Sequence, residues 1–134
     1  MQIQRIIEHF GHLVGLCFQL RDDIFDFDET LNVGKPKGND LQEGKLTLPV
    51  LHALNSTANA RYHHLAMRVR SHEASRLEIQ ELVDFTLQSG GIAYAEAEME
   101  RLHAEAAGLL TELQHPEIAH ALKCYLDYVV HRKV

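Results

Sequence analysis

FQLRDDIFDFDETLNVGKPKGNDLQEGKLTLP, residues 18–49, decides how this chain is read. It crowds Asp22, Asp23, Asp26, Asp28 and Glu29 together. It then sets Lys35, Lys37 and Lys45 in a segment broken by Gly34, Pro36, Gly38 and Gly44. Just upstream, Ile3, Ile6, Ile7, Phe10, Leu13, Val14, Cys17 and Phe18 recur at steps of three and four, one face of an amphipathic helix. The period continues through Ile24 and Phe25, so the acids stand at the end of a long helix over about 3–27. Asp22 and Asp26, four apart, share a face, with Asp23 flanking. Residues 28–46 lose periodicity and carry the glycine and proline chemistry of a loop.

Carboxylates this close repel one another, and one would be pushed toward protonation unless a cation relieved the repulsion. Magnesium suits such a face, because it takes one or two carboxylates and completes its shell with water and substrate phosphate. A diphosphate bridged by magnesium keeps unneutralised oxygens, for which lysine is a fitting point charge. Glycines beside the lysines allow close backbone approach. From this chemistry alone the segment reads equally as a metal–phosphate clamp or as a solvated surface loop beside an acidic helix end.

The rest of the chain reads as helices. One is expected from near Leu48 to about Ala53 or Asn55 and another over 61–71. Ser75 with Glu78 has capping-box spacing and opens a helix that stops at Gly90-Gly91. Ile92, Ala95, Met99, Leu102, Ala106, Leu109 and Leu113 form a narrow apolar seam. Pro116 starts a last helix whose buried face is expected to be Ile118, Leu122, Tyr125, Leu126, Val129 and Val130. Gly11 and Gly15, inside the first helix, are expected to let another helix pack closely, since each costs up to ~1 kcal/mol relative to alanine in water. No stretch alternates like a strand, so the expected class is all-α, a helical bundle forming a single unit over 1–134.

A net charge of -6 and a pI near 5.9 argue against a nucleic-acid binder. No apolar run reaches the roughly 18 residues of a membrane span. Cys17 and Cys124, far apart and without CxxC spacing, fit free thiols in a cytoplasmic protein. Cys17, on the apolar face, reads as core.

FQLRDDIFD followed by GKPKGNDLQEGKLTLPVLHAL closely resembles the second aspartate-rich region of the trans-isoprenyl diphosphate synthases, in order, spacing and residue type over more than thirty positions. FGHLVGLCFQ upstream, SGGIAYAEAEM at 89–99 and the ending YLDYVVHRKV resemble later and flanking parts of that family. The resemblance implies the isoprenoid synthase fold and a prenyltransferase that joins an allylic diphosphate to isopentenyl diphosphate, with magnesium as cofactor. By the same resemblance Asp22 matches a direct magnesium ligand, with Asp23 and Asp26 supporting it and Asp40 near metal-bound water. Lys35 and Lys45 match the lysines that hold the allylic diphosphate and stabilise the departing charge. Phe18 and Gln19 match positions beside the substrate, and Arg132 with Lys133 resembles a basic tail that closes over the second diphosphate. The family also implies a symmetric homodimer.

The chain departs from that family in length and in lacking a first aspartate-rich motif and the upstream basic residues that take isopentenyl diphosphate. It resembles the C-terminal part of a synthase, expected to be inactive alone. The rival readings are a non-catalytic small subunit or degenerate paralogue that binds a full synthase, and a terpene cyclase. The cyclase fits poorly, because its second metal motif is not DDxxD followed by GKPxG.

Overall fold

The computed structural model describes residues 2–27 and 39–132. Among the described residues there are seven helices and no strand. They are α1 (Ile3–Phe25), α2 (Asn39–Gln42), α3 (Leu48–Asn55), α4 (Ala60–Arg70), α5 (Arg76–Gln88), α6 (Gly91–Leu110) and α7 (Pro116–His131). The protein is all-α. The chain divides into two compact units, one of Met1–Arg21 with Glu96–Lys133 and one of Asp22–Ala95.

The first unit takes the bulk of α1, most of α6 and all of α7. Ile6, Phe10, Leu13, Val14 and Cys17 of α1 are buried, as are Met99, Leu102 and Ala106 of α6 and Leu126, Val129 and Val130 of α7. The Cys17 thiol lies 3.9 Å from the Met99 carbonyl, and burial, reinforced by the charge of Glu100, pushes it up to about 11. It is core, as its place on the apolar face implies; Cys124 is exposed. His103 of α6 pairs with Asp127 of α7 at 2.7 Å, and Lys123 donates to both oxygens of the same carboxylate. The hydrogen bond with His103, then that from Lys123, holds the Asp127 carboxyl below its usual range.

Two expectations fail here. A side chain placed on Gly11 or Gly15 would meet nothing within 4 Å, so among the described residues no helix packs closely over them. The α1 stripe is only partly covered: Ile3, Ile7 and Phe18 are exposed. On α7, Ile118 and Tyr125 are 49% and 52% exposed, although their spacing places them with the buried residues. Instead Ile7, Phe10, Gly11, Val14, Gly15, Phe18, Leu122 and Tyr125 line an open, largely apolar cavity of ≈ 420 Å³. Periodicity identifies a face made to be covered; only the packing shows whether the described chain covers it.

The second unit closes on Phe27, Leu41, Val50, Leu54, Ala66, Val69, Leu82 and Val83. Helix α5 packs against α3 and α4. Tyr62 of α4 stacks on Phe85 of α5 with centroids 3.8 Å apart. Helix α5 opens on the expected capping box: the Ser75 hydroxyl accepts from the Glu78 N–H, and the Glu78 carboxylate accepts from the Ser75 N–H. The two glycines that end it do different jobs. Gly90 takes the left-handed conformation, φ 76°, that reverses the chain. Gly91 starts α6 against the Pro49 carbonyl, where any Cβ would collide with backbone. Gly91→Ala is therefore expected to destabilise the protein by about 1–3 kcal/mol, the usual range for overpacking. Urea unfolding should show a lower midpoint at an unchanged slope, and an unshifted midpoint would mean that α3 and α6 can part without loss.

Candidate functional site

The last turns of α1 carry Phe18, Gln19, Asp22 and Asp23. The helix ends at Phe25, so Asp26 stands one residue beyond it, although its N–H still reaches the Asp22 carbonyl at 3.2 Å. The shared helical face expected for Asp22 and Asp26 thus ends in a turn. Asp22 is exposed, Asp26 half-buried and Asp23 only 7% exposed.

The segment after the acids is not all loop. Asn39–Gln42 makes the single helical turn α2, pinned by the buried Leu41. Period analysis cannot detect one turn with one apolar residue. The Asp40 N–H donates to Asp26 Oδ2 at 3.2 Å, tying α2 to the acidic end of α1. The Asp40 carbonyl accepts the Lys45 N–H at 2.8 Å, and the Leu41 carbonyl accepts the Gly44 N–H at 3.0 Å. Gly44, at φ 82°, makes that reversal possible. Lys45 leaves the turn with its ammonium 3.0 Å from Glu43 Oε2. Glu43 first, then the charges of Asp40 and Asp23, raise the lysine above its ordinary value and keep it cationic. Asp26, Asp40 and Lys45 thus share one hydrogen-bonded turn. The backbone tie to Asp26 and the pairing with Glu43 were not foreseen; Glu43, two residues before Lys45, was the available signal.

Among the described residues no three His, Cys, Asp or Glu side chains converge as a metal cage. An exposed Asp22 carboxylate, with Asp26 partly engaged by a backbone N–H, could serve only a cation that takes one or two carboxylates and fills its shell from water and phosphate.

In the first unit, Arg132 follows α7 and folds onto α1. Its guanidinium carbon lies 4.2 Å from the centre of the Phe18 ring, and Nη2 donates to the Phe18 carbonyl at 3.4 Å. Arg21 Nε donates to the Arg132 carbonyl at 3.0 Å. Two residues expected beside substrate, Phe18 and Arg132, are therefore in contact through a cation–π stack. Gln19 is exposed. Lys35 and Lys133 lie outside the described residues. No helix of the described chain is long and apolar enough to cross a membrane.

Residues 2–86 match the family model described as "Polyprenyl synthetase". The chain is 42% identical to a geranylgeranyl pyrophosphate synthase of Bacteroides thetaiotaomicron of known structure, with a TM-score of 0.89 over 98% of this chain and 44% of that one. It is 26% identical to a polyprenyl synthase from Caulobacter crescentus solved with calcium and isoprenyl diphosphate, with a TM-score of 0.81 over 97% of this chain and 40% of the other. It is 29% identical to heptaprenyl diphosphate synthase component 2 of Bacillus subtilis, across 98% of this chain and 37% of the relative. The chain spans less than half the length of each. A family model that matches residues 2–86, well over half of the chain, places the chain in the polyprenyl synthetase family.

Proposed function

We propose that this chain supplies the second magnesium and diphosphate half-site of a trans-prenyltransferase that condenses an allylic diphosphate with isopentenyl diphosphate. The observation that carries the reading is the tie from the Asp40 N–H to Asp26, which joins the acidic helix end to the turn bearing Lys45. Cationic and anionic groups thereby meet on one short piece of backbone, as a metal-bridged diphosphate requires. Asp22 would be the direct metal ligand, with Asp23 and Asp26 supporting it and Asp40 placed to accept from water of its shell. Bound there, magnesium would act as a Lewis acid that draws charge from the departing diphosphate. Lys45, joined by Lys35, holds the diphosphate oxygens and meets the negative charge that grows on them as the carbon–oxygen bond breaks. Phe18 and Gln19 flank the substrate. Arg132, steadied on Phe18, and Lys133 take the second diphosphate.

Calorimetric titration of the chain with inorganic pyrophosphate tests the half-site. Binding is expected with magnesium and is expected to vanish with excess chelator. Equal heats with and without the metal would defeat the reading.

The open cavity over Gly11 and Gly15, lined in part by the exposed Ile7, Phe18 and Tyr125, is apolar surface that a second chain or further protein would cover. Patches beyond a few hundred Å² are seldom left bare on a soluble monomer. A homodimer is the first occupant proposed, and sedimentation equilibrium at micromolar concentration should show twice the 15.2 kDa chain mass. A persistent monomer that binds no hydrophobic dye would exclude it. The relative named as "component 2" favours a second reading, in which the chain acts with a different partner chain.

A further inference from the structure

Two helix ends of the same design meet at the turn that carries Lys45. At the end of α2, the Lys45 N–H reaches back to the Asp40 carbonyl at 2.8 Å and the Gly44 N–H to the Leu41 carbonyl at 3.0 Å. At the end of α4, the Glu73 N–H reaches back to the Arg68 carbonyl at 2.9 Å and the His72 N–H to the Val69 carbonyl at 3.0 Å. Both are Schellman closures, in which the residue after the cap sits in the left-handed region. Glycine is the usual residue there, because a Cβ is strained in that conformation. Gly44 obeys, at φ 82°. His72 does not: at φ 59° it is the one non-glycine residue of positive φ among the described residues.

The histidine ring lies where a side chain on residue 44 would be. A Cβ built on Gly44 would lie 2.5 Å from His72 Cε1 and 3.1 Å from each ring nitrogen. The turn behind the ring is well braced. Arg68 Nη2 donates to the Glu73 carbonyl at 2.7 Å, and Arg68 Nε pairs at 2.9 Å with Glu78, which itself belongs to the capping box of α5. A strained residue persists only where the surrounding structure holds it, and such residues cluster at functional sites. We infer that His72 is a positioning residue for Lys45: its ring seats Gly44 and so fixes the turn from which Lys45 projects. Lys45 begins one peptide bond beyond that contact, and its own N–H makes the closing hydrogen bond of the turn. The inference rests on the reading that Lys45 holds diphosphate.

The variant that separates positioning from simple stability is H72G. It removes the ring yet relieves the left-handed strain, so the melting temperature should hold or rise. Titration with magnesium and inorganic pyrophosphate should show binding weakened on the order of tenfold relative to the wild-type chain. H72F, which restores a flat ring without an ionisable nitrogen, should recover most of the affinity. The double variant K45A/H72G should bind no more weakly than K45A, since His72 acts through the lysine. Amide hydrogen exchange gives a readout free of ligand: the Lys45 N–H should exchange faster in H72G and return toward wild type in H72F. Unchanged affinity and unchanged exchange in H72G would overturn the inference. So would loss in H72F equal to that in H72G, which would make the imidazole a direct phosphate contact. A wild-type chain that shows no magnesium-dependent binding would defeat the half-site reading instead, while the exchange comparison would still decide whether His72 holds the turn.

Discussion

Residues 1–134 alone, incubated with magnesium, an allylic diphosphate and radiolabelled isopentenyl diphosphate, are expected to yield no labelled product above the blank. The proposed chemistry needs a diphosphate gripped from two sides and a second substrate aligned with the carbon it leaves. This chain carries one DDxxD and one set of lysines. Alignment of two reactants is worth about 7–11 kcal/mol of barrier when it is complete. One preorganised group facing developing charge contributes about 3–4 kcal/mol more. Losing only 8 kcal/mol slows a reaction roughly 10⁶-fold, below the background of such an assay. The pyrophosphate titration should still succeed, because holding one diphosphate asks for one side of the clamp. Magnesium-dependent product from the chain alone would show that the half-site reading is too small.

The second large effect concerns Lys45 in a full-length synthase bearing this segment. Lys45→Ala is expected to lower kcat by about 10²–10³, the usual cost of removing one group that faces transition-state charge. Its thermal stability should stay near that of the parent. The lysine is largely exposed and pairs with Glu43, itself half exposed, and surface pairs of this kind contribute little. Asp22→Ala should cost at least as much activity, and raised magnesium should recover part of it. Asp23→Ala is a different experiment: that side chain is buried, so its replacement acts on folding as well as on the metal. A Lys45→Ala enzyme with kcat within a factor of a few of the parent would remove the lysine from the reaction.

The helices were legible because each is written in local terms. The 3.6-residue period, the Ser75–Glu78 box, Pro116 at the start of α7 and the Gly90-Gly91 stop all act within a few residues of chain. The acids and Lys45 could be nominated for the same reason: charge repulsion and glycine freedom are properties of the segment itself. Three other features depended on groups distant in sequence. The buried Leu41 made one helical turn inside an apparent loop and brought the Asp40 N–H to Asp26, fourteen positions away. Arg132 came to rest on Phe18 from the far end of the chain. Among the described residues the Gly11 and Gly15 face stays open, because spacing marks a surface that welcomes a partner and says nothing of whether one arrives. Sequence determined the longer helices and the chemical inventory, which are set by near neighbours. The tertiary structure decided which groups meet, because burial of Leu41 and the pairing of two helix ends at Gly44 and His72 are settled only when distant segments compete for the same space.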